Sequence, residues 1–300
     1  TENSVNLKGA VDPDGEITER GFEYGETTSY GLTQIDETSL SSYEYDGNFG
    51  PDNSTNFRFE GNSDTAFDSL GNMYVTDTNN HRIQKFDSDS NFVSSWGSHG
   101  KADGNFRSPL GISVDTSDNI YVVDTQNNRI QKFDSSGNYL LQWGGYGSGD
   151  GDFNYPMDIN IDSQGDILVA ETGNYRVQKF DSNGNFISKW GSQGSGVGQF
   201  EHISGLGVDN QDNFYVAETY PNYRIQKFDS DGIFLLQFGS EGSSDGQIGI
   251  SPTWDFTDIL VDQNDDLFFS DSGNDRIQKF DSSGNFLLKI DPQAIAADQF

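Results

Sequence analysis

One phrase of about 21 residues occurs five times along this 300-residue chain. The stretch DTNNHRIQKFDSDSNFVSSWG at 77–97 reappears as DTQNNRIQKFDSSGNYLLQWG at 124–144, and three further copies follow. The aspartate that ends the first apolar run of each copy recurs at steps of 47, 47, 47 and 53 residues, at Asp68, Asp115, Asp162, Asp209 and Asp262. No local interaction requires this spacing, so it indicates one structural unit repeated five times.

Each copy contains four short runs of β-forming residues. In the second copy they are GISVD (111–115), NIYVVD (119–124), RIQKFD (129–134) and NYLLQWG (138–144), with polar, turn-forming residues between them. Helical periodicity is absent, which excludes a βαβ array. Four consecutive antiparallel strands in about 47 residues are typical of one β-propeller blade.

The unit resembles the NHL repeat. The similar residues are the G-I-x-V-D strand, the D-N-I-Y-V-V-D-T-x-N-N-R-I-Q-K-F-D core, and the W-G ending that G-S-G-D-G-D-F follows. The copies lie at about 62–97, 109–144, 156–191, 203–239 and 256–291, within a propeller region of 51–300. NHL proteins form β-propellers, commonly with six blades, so the resemblance implies an all-β fold of six four-stranded blades.

Residues 1–50 are the expected source of the sixth blade. Phe49 lies 47 residues before Trp96, and Phe59 lies 47 residues before Phe106. Four segments before residue 50 have β-forming character, and closing the ring would remove exposed sheet edges. The segment LKGAVDPDGEITERGFEYGETTSYG also resembles the opening half of a bacterial or archaeal fibronectin-like module, which is the alternative for this region.

The formal net charge of −31 restricts the partners of the chain. Binding to nucleic acid is excluded, since it depends on Lys and Arg that neutralise phosphates, and insertion into or binding to an anionic membrane is disfavoured. The acidity fits either solubility at high ionic strength or binding of Ca²⁺. There is no cysteine, no apolar run of about 18 residues, and no leader pattern in the opening TENSVNL. We therefore expect a mature protein outside the cell or on its surface, with the cytoplasm as the alternative.

An acidic residue and an arginine recur together in every copy. Because all five copies have the pair, we expect structural ion pairs that join the second and third strands of each blade. The pairs are Asp77 and Arg82, Asp124 and Arg129, Glu171 and Arg176, Glu218 and Arg224, and Asp271 and Arg276.

One position differs between alternate copies. Copies one, three and five have Asp64, Asp158 and Asp258 where copies two and four have Gly111 and Gly205. This position opens the first strand, which lines the central channel of a propeller. Converging carboxylates are the ligands of hard cations, and six-bladed lactonases hold a divalent metal near this place. The pattern therefore predicts a metal site, with Ca²⁺ as the candidate ion.

The linkers that follow each W-G are longer and more variable than the turns. They are expected to gather on one face of the disc, where loops on a rigid scaffold commonly bind ligands. Tyr146, Tyr155 and Trp254 give this face aromatic anchors for a protein or glycan partner.

The sequence favours a non-catalytic binding scaffold over an enzyme. The three histidines, His81, His99 and His202, match neither the metal-binding pattern of NHL-type amidating lyases nor an assignable catalytic histidine of the streptogramin-lyase type. No set of acid, base and nucleophile emerges. One alternative is a metal-dependent lactonase- or esterase-like hydrolase that uses the channel carboxylates. The other is a self-assembling subunit of a surface layer or filament.

Overall fold

The computed structural model describes residues 59–250 and 257–291, together with strands β1 (Gly9–Val11) and β2 (Ile17–Arg20). The two early strands pair antiparallel, with Gly9 opposite Arg20. The remaining strands form five four-stranded antiparallel sheets, which are the blades of a β-propeller. Among the described residues, no helical segment has the length and apolarity that crossing a membrane requires.

The strands of each blade follow one another in chain order from the central axis outwards. Blade 1 is β3 (Asn62–Phe67), β4 (Met73–Asp77), β5 (Arg82–Phe86) and β6 (Phe92–Trp96). Blade 2 is β7 (Pro109–Val114), β8 (Ile120–Asp124), β9 (Arg129–Phe133) and β10 (Tyr139–Trp143). Blade 3 is β11 (Pro156–Ile161), β12 (Ile167–Glu171), β13 (Arg176–Phe180) and β14 (Phe186–Trp190). Blade 4 is β15 (Ile203–Val208), β16 (Phe214–Glu218), β17 (Arg224–Phe228) and β18 (Phe234–Phe238). Blade 5 is β19 (Ile259–Val261), β20 (Leu267–Asp271), β21 (Arg276–Phe280) and β22 (Phe286–Ile290).

The number of blades differs from the six that were predicted. The described residues contain five, one for each clear copy of the repeat. The predicted sixth blade falls on residues 1–50, which lack the R-I-Q-K-F-D motif that sets the third strand elsewhere. Apart from β1 and β2, that segment lies outside the described residues, and so does the fibronectin-like alternative.

Aspartates shape the tight turns of each blade. The Asp115 carboxylate, between β7 and β8, accepts backbone N–H bonds from Ser117 and Asn119 at 2.9 Å each. Asp134, between β9 and β10, does the same for Ser136 and Asn138. A short side chain that accepts hydrogen bonds from its own turn competes well with water there, which is why these positions are Asp in every copy.

The two faces of the disc differ in what they contain. The turn face has the tight turns between the first and second and between the third and fourth strands. The linker face has the loops between the second and third strands, at 78–81, 125–128, 172–175, 219–223 and 272–275. It also has the linkers between blades, at 97–108, 144–155, 191–202 and 239–250. Linker and loop are in direct contact, since Asn127 donates to the Gly100 carbonyl at 2.8 Å.

The hydrophobic cores lie between neighbouring blades. The leading side of each blade, formed by residues such as Tyr74 and Ile83 of blade 1, packs on the trailing side of the next, here Ile112, Ile120 and Val122. Equivalent cores join blades 2 and 3, 3 and 4, and 4 and 5. Aromatic rings make up much of each core, which explains how a chain with few aliphatic residues is packed.

Glycine is required where an outer strand meets the next blade. Gly137 has φ +81°, and a Cβ there would lie 2.8 Å from the Trp96 ring of blade 1. Glycine, which has no Cβ, tolerates both the left-handed backbone conformation and the close approach of the Trp96 ring at this turn.

Candidate functional site

The ion pairs hold the linker face together. Arg129 Nε donates to Asp124 Oδ2 at 2.7 Å, and these two residues are opposite each other on β9 and β8. The Nη2 atom of Arg129 donates to the carbonyls of Ala102 (3.0 Å) and Asn105 (2.8 Å) in the linker from blade 1. The Arg107 N–H donates to the other oxygen of Asp124 at 2.7 Å. One arginine thus connects a blade and the linker that precedes it.

All five predicted acid–arginine pairs are in contact, and the bonds to the preceding linker recur for Arg176, Arg224 and Arg276. Each Nε–carboxylate distance is between 2.5 and 2.8 Å, and each acid is fully buried. Burial raises the pKa of Asp124 and Glu171, and hydrogen bonds from the neighbouring backbone and from the arginine oppose it. The contacts to linker carbonyls were not foreseen from the sequence. The sequence feature that could have predicted these contacts is the glutamine two residues after each arginine. Gln131, for example, also donates to the Asn105 carbonyl, at 2.8 Å.

Aromatic side chains project from this ordered face. Tyr146 is 78% exposed and Tyr155 is 48% exposed. The Tyr155 N–H donates to Asn128 Oδ1 at 2.9 Å, which ties the end of the linker to the loop of blade 2. The third predicted anchor, Trp254, lies outside the described residues.

The sequence reasoning missed Tyr220, which is 72% exposed in the loop of blade 4. Its ring packs edge-to-face on Tyr223 with centroids 6.2 Å apart. Burial, and after it the charge of the nearby Glu241, raises the pKa of Tyr223. The signal was the loop length, because Glu218 and Arg224 are six residues apart where the other pairs are five apart.

Most cations of the described residues are already paired. Of the fourteen lysines and arginines in the described ranges, twelve lie within 4.0 Å of a carboxylate oxygen. The other two, Lys101 and Arg107, both belong to the linker between blades 1 and 2. The charge that this part of the chain offers to a partner is therefore overwhelmingly negative.

The three channel aspartates line a small cavity at the axis. Its volume is about 20 Å³, room for about one water molecule, and first-strand or adjoining residues of all five blades line it. Asp158 is 7% exposed, and Asp64 and Asp258 are half-buried. Burial and then the charge of Asp258 raise the pKa of Asp64 and Asp158 well above the usual range, and burial raises the pKa of Asp258 to about 6.

The carboxylates join neighbouring blades by hydrogen bonds. Asp64 Oδ2 accepts the Ile112 N–H of blade 2 at 2.7 Å, and Asp158 Oδ2 accepts the Leu206 N–H of blade 4 at 2.6 Å. The alternating glycines explain why these strands approach so closely, since a Cβ at Gly111 would lie 2.9 Å from the Asp158 Cα. In the described ranges, no three His, Asp or Glu side chains are arranged to hold a metal ion.

Two histidine rings lie against each other at a tilt of 53° on the linker face, and the third lies apart from them. The rings of His81 and His99 are 4.7 Å apart, and His81 Nδ1 accepts the Ser108 N–H at 3.1 Å. Asn128 accepts the equivalent bond in blade 2, so His81 acts there as a hydrogen-bond acceptor. Burial, followed by the charges of His99 and Arg107, lowers the pKa of His81. His202 lies near the Thr219 hydroxyl at 3.3 Å.

The turn face contains a repeated set of lysine contacts that the sequence reasoning also missed. Lys85 lies 4.9 Å from the Tyr74 ring centroid and 3.6 Å from Asp68, and it donates to the Ser135 carbonyl of blade 2 at 2.9 Å. In blade 3, where leucine replaces the tyrosine, Lys179 pairs with Asp162 and with Asp166 at 2.7 and 3.1 Å. The sequence signal was a covariation between two positions. Copies with Tyr at the position of Tyr74 have Asn two residues before it, and copies with Leu or Phe there have Asp.

These contacts define a β-propeller whose blades share one ion-paired plan, and the comparisons with known proteins agree. The family model of the NHL repeat matches residues 63–86, 106–133 and 153–180. These three segments of the chain are therefore NHL repeats, within a β-propeller. A search of curated proteins finds no match.

Solved structures with the same fold include enzymes. A gluconolactonase from Xanthomonas campestris is 18% identical, with a TM-score of 0.58 over 77% of this chain and 75% of that one. A catalytically inactive virginiamycin B lyase from Staphylococcus aureus, solved with quinupristin, is 16% identical, with a TM-score of 0.57 over 96% of this chain and 78% of that one. A streptogramin B lyase is 16% identical, with a TM-score of 0.55 over 77% of this chain and 68% of that one. At such identities these likenesses show the fold alone.

Proposed function

We propose that this protein is a non-catalytic binding scaffold whose linker face binds a protein partner through lysine and arginine side chains. The observation that supports it best is the set of exposed tyrosines, Tyr146, Tyr155 and Tyr220, on linkers and loops that buried ion pairs hold in place. Ordered aromatic side chains bind at a low cost in conformational entropy.

The charge of the face selects the kind of partner. A lysine or arginine over a tyrosine ring gains about 0.5–1 kcal/mol at an exposed site. The exposed carboxylates of Asp103 and Glu241 lie on the same face, and most described cations are already paired. A basic protein surface therefore finds both rings and charges that complement it, and electrostatic attraction would also speed its association.

Binding of a fluorescein-labelled oligoarginine peptide, followed by anisotropy, tests the proposal. We expect Tyr146→Ala and Tyr220→Ala each to weaken the affinity about two- to fivefold, which corresponds to one lost cation–π contact. Leu70→Ala is the matched control, because Leu70 is 76% exposed but lies on the turn face. The affinity should fall as salt is added.

Two results would count against the proposal. An affinity that both tyrosine variants leave unchanged, as in the Leu70→Ala control, would mean that the peptide binds through net charge without using the linker face. Tight, salt-independent binding of a neutral oligosaccharide that the tyrosine variants abolish would identify a glycan partner instead.

The second candidate is a metal-dependent hydrolase of the lactonase or esterase type. The observation behind it is that three carboxylates line one cavity at the channel, and carboxylate oxygens are ligands of hard cations such as Ca²⁺. The existing N–H bonds of Asp64 and Asp158 leave fewer lone pairs for such an ion. Elemental analysis after exhaustive dialysis, with melting curves with and without chelator, tests this candidate. A tightly held divalent ion would justify a screen of lactone and ester substrates, and its absence would refute the hydrolase candidate.

A further inference from the structure

The linker between blades 1 and 2 differs in charge from the other three linkers at 144–155, 191–202 and 239–250. It contains His99, Lys101 and Arg107, and His81 lies beside it in the loop of blade 1. The residues at the corresponding linker positions are neutral or acidic: Tyr146, Gln193 and Glu241 for His99, Ser148, Ser195 and Ser243 for Lys101, and Asn154, Glu201 and Gly249 for Arg107. Basic and imidazole side chains are therefore concentrated at one place on the linker face.

The hydrogen bond to His81 determines which ring nitrogen is a donor. The Ser108 N–H donates to His81 Nδ1 at 3.1 Å, so the neutral ring has its proton on Nε2. The half-buried His81 ring therefore has an N–H donor on the edge away from Ser108. The ring of His99, which is exposed, lies beside it with the centroids 4.7 Å apart.

The side chain of Arg107 has no acceptor within the described part of the chain. The residue is half-buried, and its Nε atom is buried without a hydrogen-bond partner. Arg107 is also one of the two described cations, with Lys101, that have no carboxylate oxygen within 4.0 Å. A buried donor without an acceptor is unfavourable, and a ligand with an acceptor atom would relieve that cost.

Arg107 and the two histidines act on one another electrostatically. The charge of Arg107 contributes to the lowered pKa of His81, after burial and the charge of His99. The charge of Asp124 acts in the opposite direction and is the weakest of these causes. The Asp124 carboxylate already accepts the backbone N–H of Arg107 and the Nε–H of Arg129. It therefore has little capacity left to neutralise the Arg107 guanidinium.

We propose that His81, His99 and Arg107 form a binding site for a single carboxylate group. The planar guanidinium offers paired donors that match the two oxygens of a carboxylate, and the Nε2–H of His81 would donate to the same group. A monoanion is favoured, because the net charge of −31 repels a dianion such as sulfate about twice as strongly. This site takes a group opposite in charge to the side chains of the proposed partner, and it does not depend on that proposal.

Acetate is the probe, and the NMR signals of the histidine rings report its binding. The chain has three histidines, and His202 is an internal reference because it lies apart from the other two. At about pH 8, above the ordinary imidazole pKa of about 6.5, acetate replaces chloride at constant ionic strength. We expect saturable shifts of the His81 and His99 signals and none of the His202 signal. His81→Asn and His99→Gln assign the signals.

Three variants identify the groups that bind. Arg107→Gln removes the guanidinium but keeps the backbone N–H bond of this position, so it should fold and weaken acetate binding about tenfold. His81→Asn supplies the acceptor that Asn128 supplies in blade 2, but it lacks the ring donor and should weaken binding about fivefold. Lys189→Gln is the matched control, because Lys189 is exposed and paired with Asp150 of another linker. It should leave the affinity unchanged.

Each of three results would overturn the proposal. Shifts that are linear in acetate and common to all three histidines would mean that no site exists. Equal affinities of wild type and Arg107→Gln would mean that the guanidinium takes no part. Tighter binding of sulfate than of acetate would mean that the site does not select a monoanionic carboxylate.

Discussion

The channel aspartates make a pH prediction of unusual sign. Asp258 has its pKa raised by burial from 3.8 to about 6, so the folded protein binds more protons than the unfolded chain between these values. The contribution of Asp258 to the free energy of unfolding is therefore present at acidic pH and is lost as the pH rises through about 6. Carboxylates in ion pairs usually behave in the opposite way.

The expected effect is measurable. With those two pKa values, the contribution of Asp258 to the free energy of unfolding falls by about 1.4 kcal/mol between pH 5 and pH 8. Asp64 and Asp158 titrate in the same direction and add to it. Asp258→Asn keeps an oxygen for the Ile259 N–H bond, which is 2.7 Å long, and removes the charge. The difference in stability between wild type and variant should therefore change by at least about 1.4 kcal/mol over this range.

Urea unfolding followed by tryptophan fluorescence at several pH values between 5 and 8 gives this difference. Asp281→Asn is the control, because hydrogen bonds from Asn285 lower the pKa of this exposed carboxylate and its contribution disappears only at more acidic pH. The control should leave the slope between pH 5 and 8 unchanged. Parallel curves for wild type and Asp258→Asn would refute the reasoning.

Three further predictions concern single residues. Arg129→Ala should lower the free energy of unfolding by about 3–5 kcal/mol in urea titrations, because it leaves the buried Asp124 carboxylate without its cation and removes the donor to the Ala102 carbonyl. Gly137→Ala should cost about 2–3 kcal/mol and Gly104→Ala about 1 kcal/mol in the same assay. Both glycines have positive φ, but only Gly137 faces the Trp96 ring. Because the pKa of His81 is lowered, the contribution of His81 to stability should be lost as the pH falls through about 6.5. The melting temperature of His81→Asn relative to wild type should therefore rise between pH 7.5 and pH 5.5, and a constant difference would contradict this.

Strands and turns could be predicted from the sequence because their causes are local. The run NIYVVD at 119–124 contains β8, and RIQKFD at 129–134 contains β9. The five-residue spacing of Asp124 and Arg129 places them opposite each other in an antiparallel pair, as the register shows. The predicted count of six blades differs from the five that the described residues contain, because the sixth was assigned to residues 1–50, which have no copy of the R-I-Q-K-F-D motif.

The roles of the channel aspartates could not be predicted in the same way. Their spacing indicates convergence on the axis, and they do line one cavity. Whether their oxygens are available depends on how closely neighbouring first strands approach. That distance follows from the missing side chain at Gly111, which faces a residue 47 positions later.

The sequence by itself determined the repeat, the order of the strands, the turns and the pairing of each acid with its arginine, since all of these act within about ten residues or within one repeat. The tertiary structure alone decided which tyrosines are exposed and which carboxylates share a cavity. Burial and pKa depend on groups brought together across blades, and no pattern within one repeat specifies what the next blade places against it.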